Sequence, residues 1–167
     1  MADWLDISER DAVSLASVMA RKGVDAVRIG GALGVDAPTR PAFVSGAAIG
    51  LIGSGRGTWL AIGETDAPDW AEDVAETLAG LASVSDQSSG YVVVRLAGVD
   101  ARRLLQRGMP IDLHPDAFGA GSAVTTVIAH IGVIVWQVDD RPTYDLAVFR
   151  SFRNSLIRWI ETTAAAL

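Results

Sequence analysis

Only two imidazoles, His114 and His130, are available to the chain, and no cysteine accompanies them. His114 stands in Ile111-Asp112-Leu113-His114-Pro115-Asp116. A carboxylate on either side of an imidazole could work there as acid and base, in the manner of a small hydrolase. Such chemistry needs a nucleophile or a third ligand at a matching spacing, and none is present. The competing reading of His114 is a turn residue whose ring bonds nearby backbone, and His130, at the tight turn His130-Ile131-Gly132, reads as structural. Two histidines without thiolates fall short of the usual metal sets. Gly53-Ser54-Gly55-Arg56-Gly57 invites comparison with phosphate-binding loops, which aim several backbone N–H groups at an anion. It lacks the Gly-Lys-Ser/Thr entry into a helix and leads instead into Trp59 and a strand. Gly30-Gly31-Ala32-Leu33-Gly34 likewise has no strand–loop–helix unit around it. The expected catalytic, cofactor-binding and metal-ligating sets on this chain are therefore empty.

The cations offer a different chemistry. Of the 14 lysines and arginines only Lys22 is a lysine, so nearly every positive charge can make planar, bidentate contacts with carboxylates or phosphates. Arg102-Arg103 and Arg150/Arg153 fall at two predicted helix starts, where the helix dipole favours acids. Asp100 offsets the first pair in part, and the arrangement suggests an external acidic partner or anion. Trp4 and Trp70 lie near segment ends, where an indole can anchor an interface. Trp4, Arg102, Arg103, Arg150 and Arg153 are accordingly the candidate partner-facing residues. A formal charge of −6 argues against a generic nucleic-acid binder, because that affinity comes from cations neutralising phosphates. The first residues, Met1-Ala2-Asp3-Trp4-Leu5-Asp6, are acidic where a signal peptide is basic. No apolar run reaches the roughly 20 residues that span a bilayer. A soluble cytoplasmic protein with no membrane partner is expected.

The elements that must position these residues follow from pattern. At 167 residues, half of them apolar, the chain can bury a core of its own, and one domain over 1–167 is expected. Ser8, the stripe Val13, Leu15, Ala16, Val18, Met19 and the stop at Gly23 predict a helix over 9–22. The Gly- and Pro-rich stretch 30–45 reads as a tie across the surface, so 1–45 is an N-terminal helix and tie. Runs 47–52 and 58–62 form a hairpin and 68–81 a helix, giving a first half over 46–81. The second half, 82–167, opens on a hairpin of 84–86 with 91–96 and continues with a helix over 99–107. Strands at 122–129, 132–138 and 143–149 follow, and a helix from Ser151 places Phe152, Leu156, Trp159 and Ile160 on one stripe. Hairpins of this kind require antiparallel pairing with packed helices, an α+β architecture.

The segment Leu96-Ala97-Gly98-Val99-Asp100-Ala101-Arg102-Arg103-Leu104-Leu105-Gln106-Arg107-Gly108-Met109-Pro110-Ile111-Asp112-Leu113-His114-Pro115-Asp116-Ala117-Phe118 strongly resembles the gamma subunit family of heterotetrameric sarcosine oxidase. Thr125–Ile131 and Tyr144–Phe152 look like that family as well. The resemblance implies a fold similar to the folate-binding domain of aminomethyltransferases, built from two β2-α-β3-α halves. It further implies a non-catalytic, structural subunit in a complex that oxidatively demethylates sarcosine or a related N-methyl amino acid or amine. FAD, FMN, NAD and tetrahydrofolate would then reside on partner subunits, with alpha, beta and delta chains as partners and no cofactor here. His114, Pro115 and Phe118 are positions of the family pattern without a catalytic role. The alternatives are an independent folate-binding or folate-dependent one-carbon protein on the same fold, and a hydrolase using His114 with Asp112 or Asp116.

Overall fold

The computed structural model describes residues 4–167, so the start of the acidic N-terminal segment, up to Asp3, lies outside the described residues. The described chain forms two compact units, one of residues 11–89 and one of residues 90–167 with the segment ending at Arg10. In chain order the first repeat of elements is β1 (Asp6–Glu9), β2 (Ser14–Ala20), α1 (Ala26–Leu33), β3 (Phe43–Ser45), β4 (Gly50–Gly55), β5 (Thr58–Gly63) and α2 (Trp70–Thr77). The second is β6 (Ala82–Asp86), β7 (Tyr91–Ala97), α3 (Ala101–Gln106), β8 (Ala123–Ile128), β9 (Ile131–Gln137), β10 (Thr143–Phe149), a 3₁₀ turn and α4 (Arg153–Ala164). Each repeat reads β2-α-β3-α.

The two antiparallel five-stranded sheets do not follow those repeats. One has the order β3-β4-β5-β2-β6 and the other β8-β9-β10-β7-β1. In both, a three-strand meander joins the strand that precedes the repeat's first helix, and the outer strand comes from the other repeat. The two opening strands are thus exchanged. The expected hairpin of 84–86 with 91–96 is corrected accordingly: β6 pairs with β2, while β7 pairs with β1 and β10.

The largest correction concerns 1–45. The segment expected as a helix over 9–22 carries strand instead, the end of β1 and all of β2, and the segment expected as a tie over 30–45 holds the last turn of α1 and β3. β2 lies between β5 and β6, and its residues Ser14, Leu15, Ala16 and Val18 are all buried. A strand covered on both faces loses the two-residue alternation and imitates a helical stripe. In α1, Asp25 caps the helix by accepting the Arg28 N–H at 3.0 Å, and Gly34 ends it in the left-handed region at φ 68. Those are ordinary start and stop signals, hidden by the glycines between them.

Each sheet has its own core. In the unit of residues 11–89, Ile29 of α1 and Val74 of α2 cluster with Leu51, Trp59, Ala61 and Leu78. In the other, Leu104 and Leu105 of α3 and Leu156 and Ile160 of α4 cluster with Leu96, Tyr144, Leu146 and Val148. Phe152, expected on that stripe, is exposed, because it belongs to the 3₁₀ turn before α4. No helix among the described residues is long and apolar enough to cross a membrane.

The chain before β1 is held tightly at Gly98. This glycine has φ 119, and a Cβ there would stand 2.4 Å from the Trp4 carbonyl oxygen. Positive φ and close approach both demand glycine. Gly98→Ala is expected to cost about 2 kcal/mol and to loosen β1; urea unfolding with amide exchange at Ile7–Glu9 measures both, and wild-type values would refute the tight approach.

Candidate functional site

The most strongly charged interior site is on β10. Tyr144, Leu146 and Val148 face the core, which turns Asp145 to the opposite side of the sheet, where its side chain is 1% exposed. Arg95, directly across on β7, donates from Nε to Oδ1 and from Nη2 to Oδ2, both at 2.7 Å. Arg10, just past β1, donates from Nη1 to Oδ2 at 3.0 Å. A buried carboxylate without partners would be prohibitively costly, and three charge-assisted hydrogen bonds offset that cost. One residue away, Glu9 accepts from Arg153 of α4 at 2.6 Å. That contact raises the Arg153 pKa through the hydrogen bond and the charge of Glu9. Sequence reasoning passed over Arg10, Arg95 and Asp145. Their signal was an acid and a base set singly in apolar strands, Tyr144-Asp145-Leu146 and Val94-Arg95-Leu96, which only mutual pairing explains.

The residues expected to face a partner are placed as follows, all in the unit containing β10. Trp4 is half-buried against the core cluster. Arg102 donates from Nε to the Tyr144 hydroxyl at 3.0 Å. Arg103 lies 3.7 Å from Asp100 and is mostly exposed. Arg150 donates to the Tyr91 carbonyl at 2.9 Å, and Arg153 is engaged by Glu9. The adverse charges at the starts of α3 and α4 are thereby matched by acceptors within the unit.

The loop at His114 is a turn. Asp112 Oδ1 accepts the His114 N–H at 2.8 Å, and the His114 ring nitrogen Nδ1 accepts the Asp116 N–H at 3.3 Å. The imidazole is 65% exposed and the Asp116 carboxylate 93%, with Nδ1 and Oδ2 3.5 Å apart. Leu113 and Phe118, buried in the core cluster, are what anchor this loop. Ala129 and His130 have φ 47 and 71, the two positive values of a type I′ hairpin turn between β8 and β9. Gly53-Ser54-Gly55-Arg56-Gly57 closes the β4–β5 hairpin through an irregular register between Gly53 and Gly55. Gly30 lies inside α1, buried where a Cβ would meet the Val35 carbonyl at 2.4 Å. Among the described residues no group of three or more His, Asp and Glu could hold a metal ion.

Asp145→Ala removes the carboxylate that Arg95 and Arg10 share and is expected to cost about 3 kcal/mol. Arg10→Ala leaves the bidentate Arg95 contact and should cost about 1 kcal/mol. Denaturant unfolding of the singles and the double gives the coupling, and strictly additive losses would exclude a shared site. Burial raises the pKa of both tyrosines, Tyr91 and Tyr144, above 10.0, with Arg102 opposing in part at Tyr144. The unfolded chain then ionises first, so this stability is intact below pH 10.0 and lost as pH rises through the higher folded value. Tyr144→Phe should flatten that alkaline decline; an unchanged slope would mean that the hydroxyl is not protected.

The profile of the family described as "Sarcosine oxidase, gamma subunit family" matches residues 22–166. "Sarcosine oxidase subunit gamma" of Corynebacterium sp. (strain P-1) is 34% identical over 135 residues, which span 77% of this chain and 64% of that protein. The protein of the same description from Arthrobacter sp. is 34% identical over 136 residues, with the same shares. The chain therefore spans a little under two thirds of the length of these relatives. In solved structures, heterotetrameric sarcosine oxidase from Corynebacterium sp. U-96, in complex with pyrrole 2-carboxylate, contains a chain that superposes with TM-score 0.86 at 22% identity, covering 97% of this chain and 84% of that one. The glycine cleavage system aminomethyltransferase T from Bartonella henselae gives TM-score 0.69 at 10% identity, covering 94% and 45%. The fold implied by the sequence resemblance is thus the fold observed, and the chain belongs to the sarcosine oxidase gamma subunit family.

Proposed function

We propose that this chain is the gamma subunit of a heterotetrameric sarcosine oxidase-like complex and serves its assembly without carrying out the chemistry. The observation that carries the reading is the family match over residues 22–166. The complex would oxidatively demethylate sarcosine, or a related N-methyl amino acid or amine, in the cytoplasm. The partners of this chain would be alpha, beta and delta chains, with FAD, FMN, NAD and tetrahydrofolate on partner subunits. The exposed turn at His114 supports a structural role, since Asp112 Oδ1 and His114 Nδ1 each accept a local backbone N–H. A second reading, an independent folate-binding or folate-dependent one-carbon protein, draws support from the architecture shared with aminomethyltransferase T.

Purification from the native host through a tag on this chain separates the two. Larger chains in fixed stoichiometry, a flavin absorbance spectrum and sarcosine-dependent oxygen consumption are expected. A chain that arrives alone and colourless would overturn the subunit reading, and tetrahydrofolate binding by that lone chain would put the second in its place.

A further inference from the structure

The unit of residues 11–89 uses its charges differently from the other. Its cations are Arg21, Lys22, Arg28, Arg40 and Arg56, and most of its acids stand between Glu64 and Glu76. Arg21, Arg40 and Arg56 line a single cleft of about 1110 Å³, together with one carboxylate, Asp25. None of the three guanidinium groups makes an ion pair or side-chain hydrogen bond among the described residues. A net-acidic chain therefore gathers three uncompensated arginines around one concavity.

The backbone under each arginine is fixed. The Arg21 N–H donates to the Leu81 carbonyl at 2.9 Å, and the Ala20 N–H donates to the Gly57 carbonyl at 2.8 Å, beside Arg56. The segment carrying Arg40 lies across β4, because a Cβ on Gly53 would stand 2.3 Å from the Arg40 carbonyl oxygen. The buried Trp59 indole N–H donates to the Pro38 carbonyl at 2.7 Å and ties down the same segment. The cleft is thus formed before anything occupies it. Its apolar contribution includes Met19, 59% exposed, and Met and Arg are residue types enriched at protein interfaces.

We propose that this cleft receives an acidic segment of a partner subunit, whose Asp and Glu side chains pair with Arg21, Arg40 and Arg56. The proposal rests on the subunit reading above and names the surface it would use. Charge complementarity carries it: three like charges around one cleft repel each other, and carboxylates that settle among them remove the repulsion and gain planar, bidentate partners. An acidic peptide suits the cleft better than a small anion. All three arginines are exposed at its rim, whereas a small-molecule site encloses most of its ligand and holds a few buried polar groups aimed at it. The buried polar side-chain atoms without partners, on Gln137 and Asp139, belong to the other unit and do not line it.

The test uses the complex purified through this chain, with thermal melting to confirm that each variant folds. The triple variant Arg21→Glu, Arg40→Glu, Arg56→Glu is expected to hold its partners roughly tenfold to a hundredfold more weakly in low salt, with most of the difference lost in high salt. In the Arg56→Lys complex, zero-length carbodiimide coupling is expected to join position 56 to an Asp or Glu of a partner chain, identified by mass spectrometry. Wild-type affinity and salt dependence in the triple variant, or coupling that never reaches a partner carboxylate, would overturn the docking proposal while leaving the subunit reading intact. Purification of the wild-type chain without partners would overturn both. Saturable binding of inorganic pyrophosphate that needs the three arginines, with assembly unchanged by the triple variant, would assign the cleft to a small anion instead.

Discussion

The carboxylate of Asp145 is the point on which the arrangement of this chain turns. It sits in the middle of β10, beyond the reach of water, and its burial is offset by Arg95 and, to a lesser degree, Arg10. Arg95 comes from the neighbouring strand, directly opposite Asp145 in the register of β7 with β10. Arg10 comes from the end of β1, a strand of four residues that contributes little apolar burial of its own. Backbone bonds to β7 give β1 its register, and the ion pairs at Glu9 and Arg10 give its end a reason to stay. Buried ionic contacts of this kind specify an arrangement more than they add net stability.

That specification matters because of the exchange of opening strands. Asp6 of β1 pairs with Ala97 of β7, which closes a loop of roughly 90 residues. The entropic cost of such closure grows only with the logarithm of loop length, but it must be met before the pairing returns anything. β6, by contrast, joins β2 within the contiguous segment 11–89. One sheet can therefore be completed from a continuous stretch of chain, while the other waits for its edge strand from the far end of the sequence. A four-residue strand is a weak candidate for so distant a pairing on backbone bonds alone. Leu5 in the core, the close approach at Gly98 and the two ion pairs supply the rest.

Legibility in the sequence follows the same division between local and distant. β8, β9 and β10 are adjacent in sequence and in the sheet, so turn chemistry and alternation placed them within a residue or two. α2, α3 and α4 showed because each has a run of apolar residues at helical spacing beside clear breakers. β2 was misread because its burial comes from neighbours far along the chain, and no local pattern reports them. The partners of β6 and β7 were misread for the same reason: two strands around a turn look like a hairpin whether or not they pair. At the site, the arginines at helix starts were visible as an electrostatic oddity, yet their acceptors, Tyr144, Tyr91 and Glu9, are supplied by tertiary structure.

An arginine at a helix start shows that something negative or electron-rich belongs near it, but intramolecular acceptors satisfy that requirement as well as a partner does. A stronger criterion for a partner-facing cation is a guanidinium held on rigid backbone with no acceptor within its own chain. Arg102, Arg150 and Arg153 each have an acceptor within their unit, whereas Arg21, Arg40 and Arg56 have none among the described residues, although nothing in their sequence neighbourhoods links them. They come together because β2 pairs with β5 out to Met19 and Thr58, with the Ala20 N–H on the Gly57 carbonyl just beyond, and because glycine at 53 lets the 38–41 segment cross β4. That cleft is then a property of strand register and one missing side chain, which is why it could not be read along the chain.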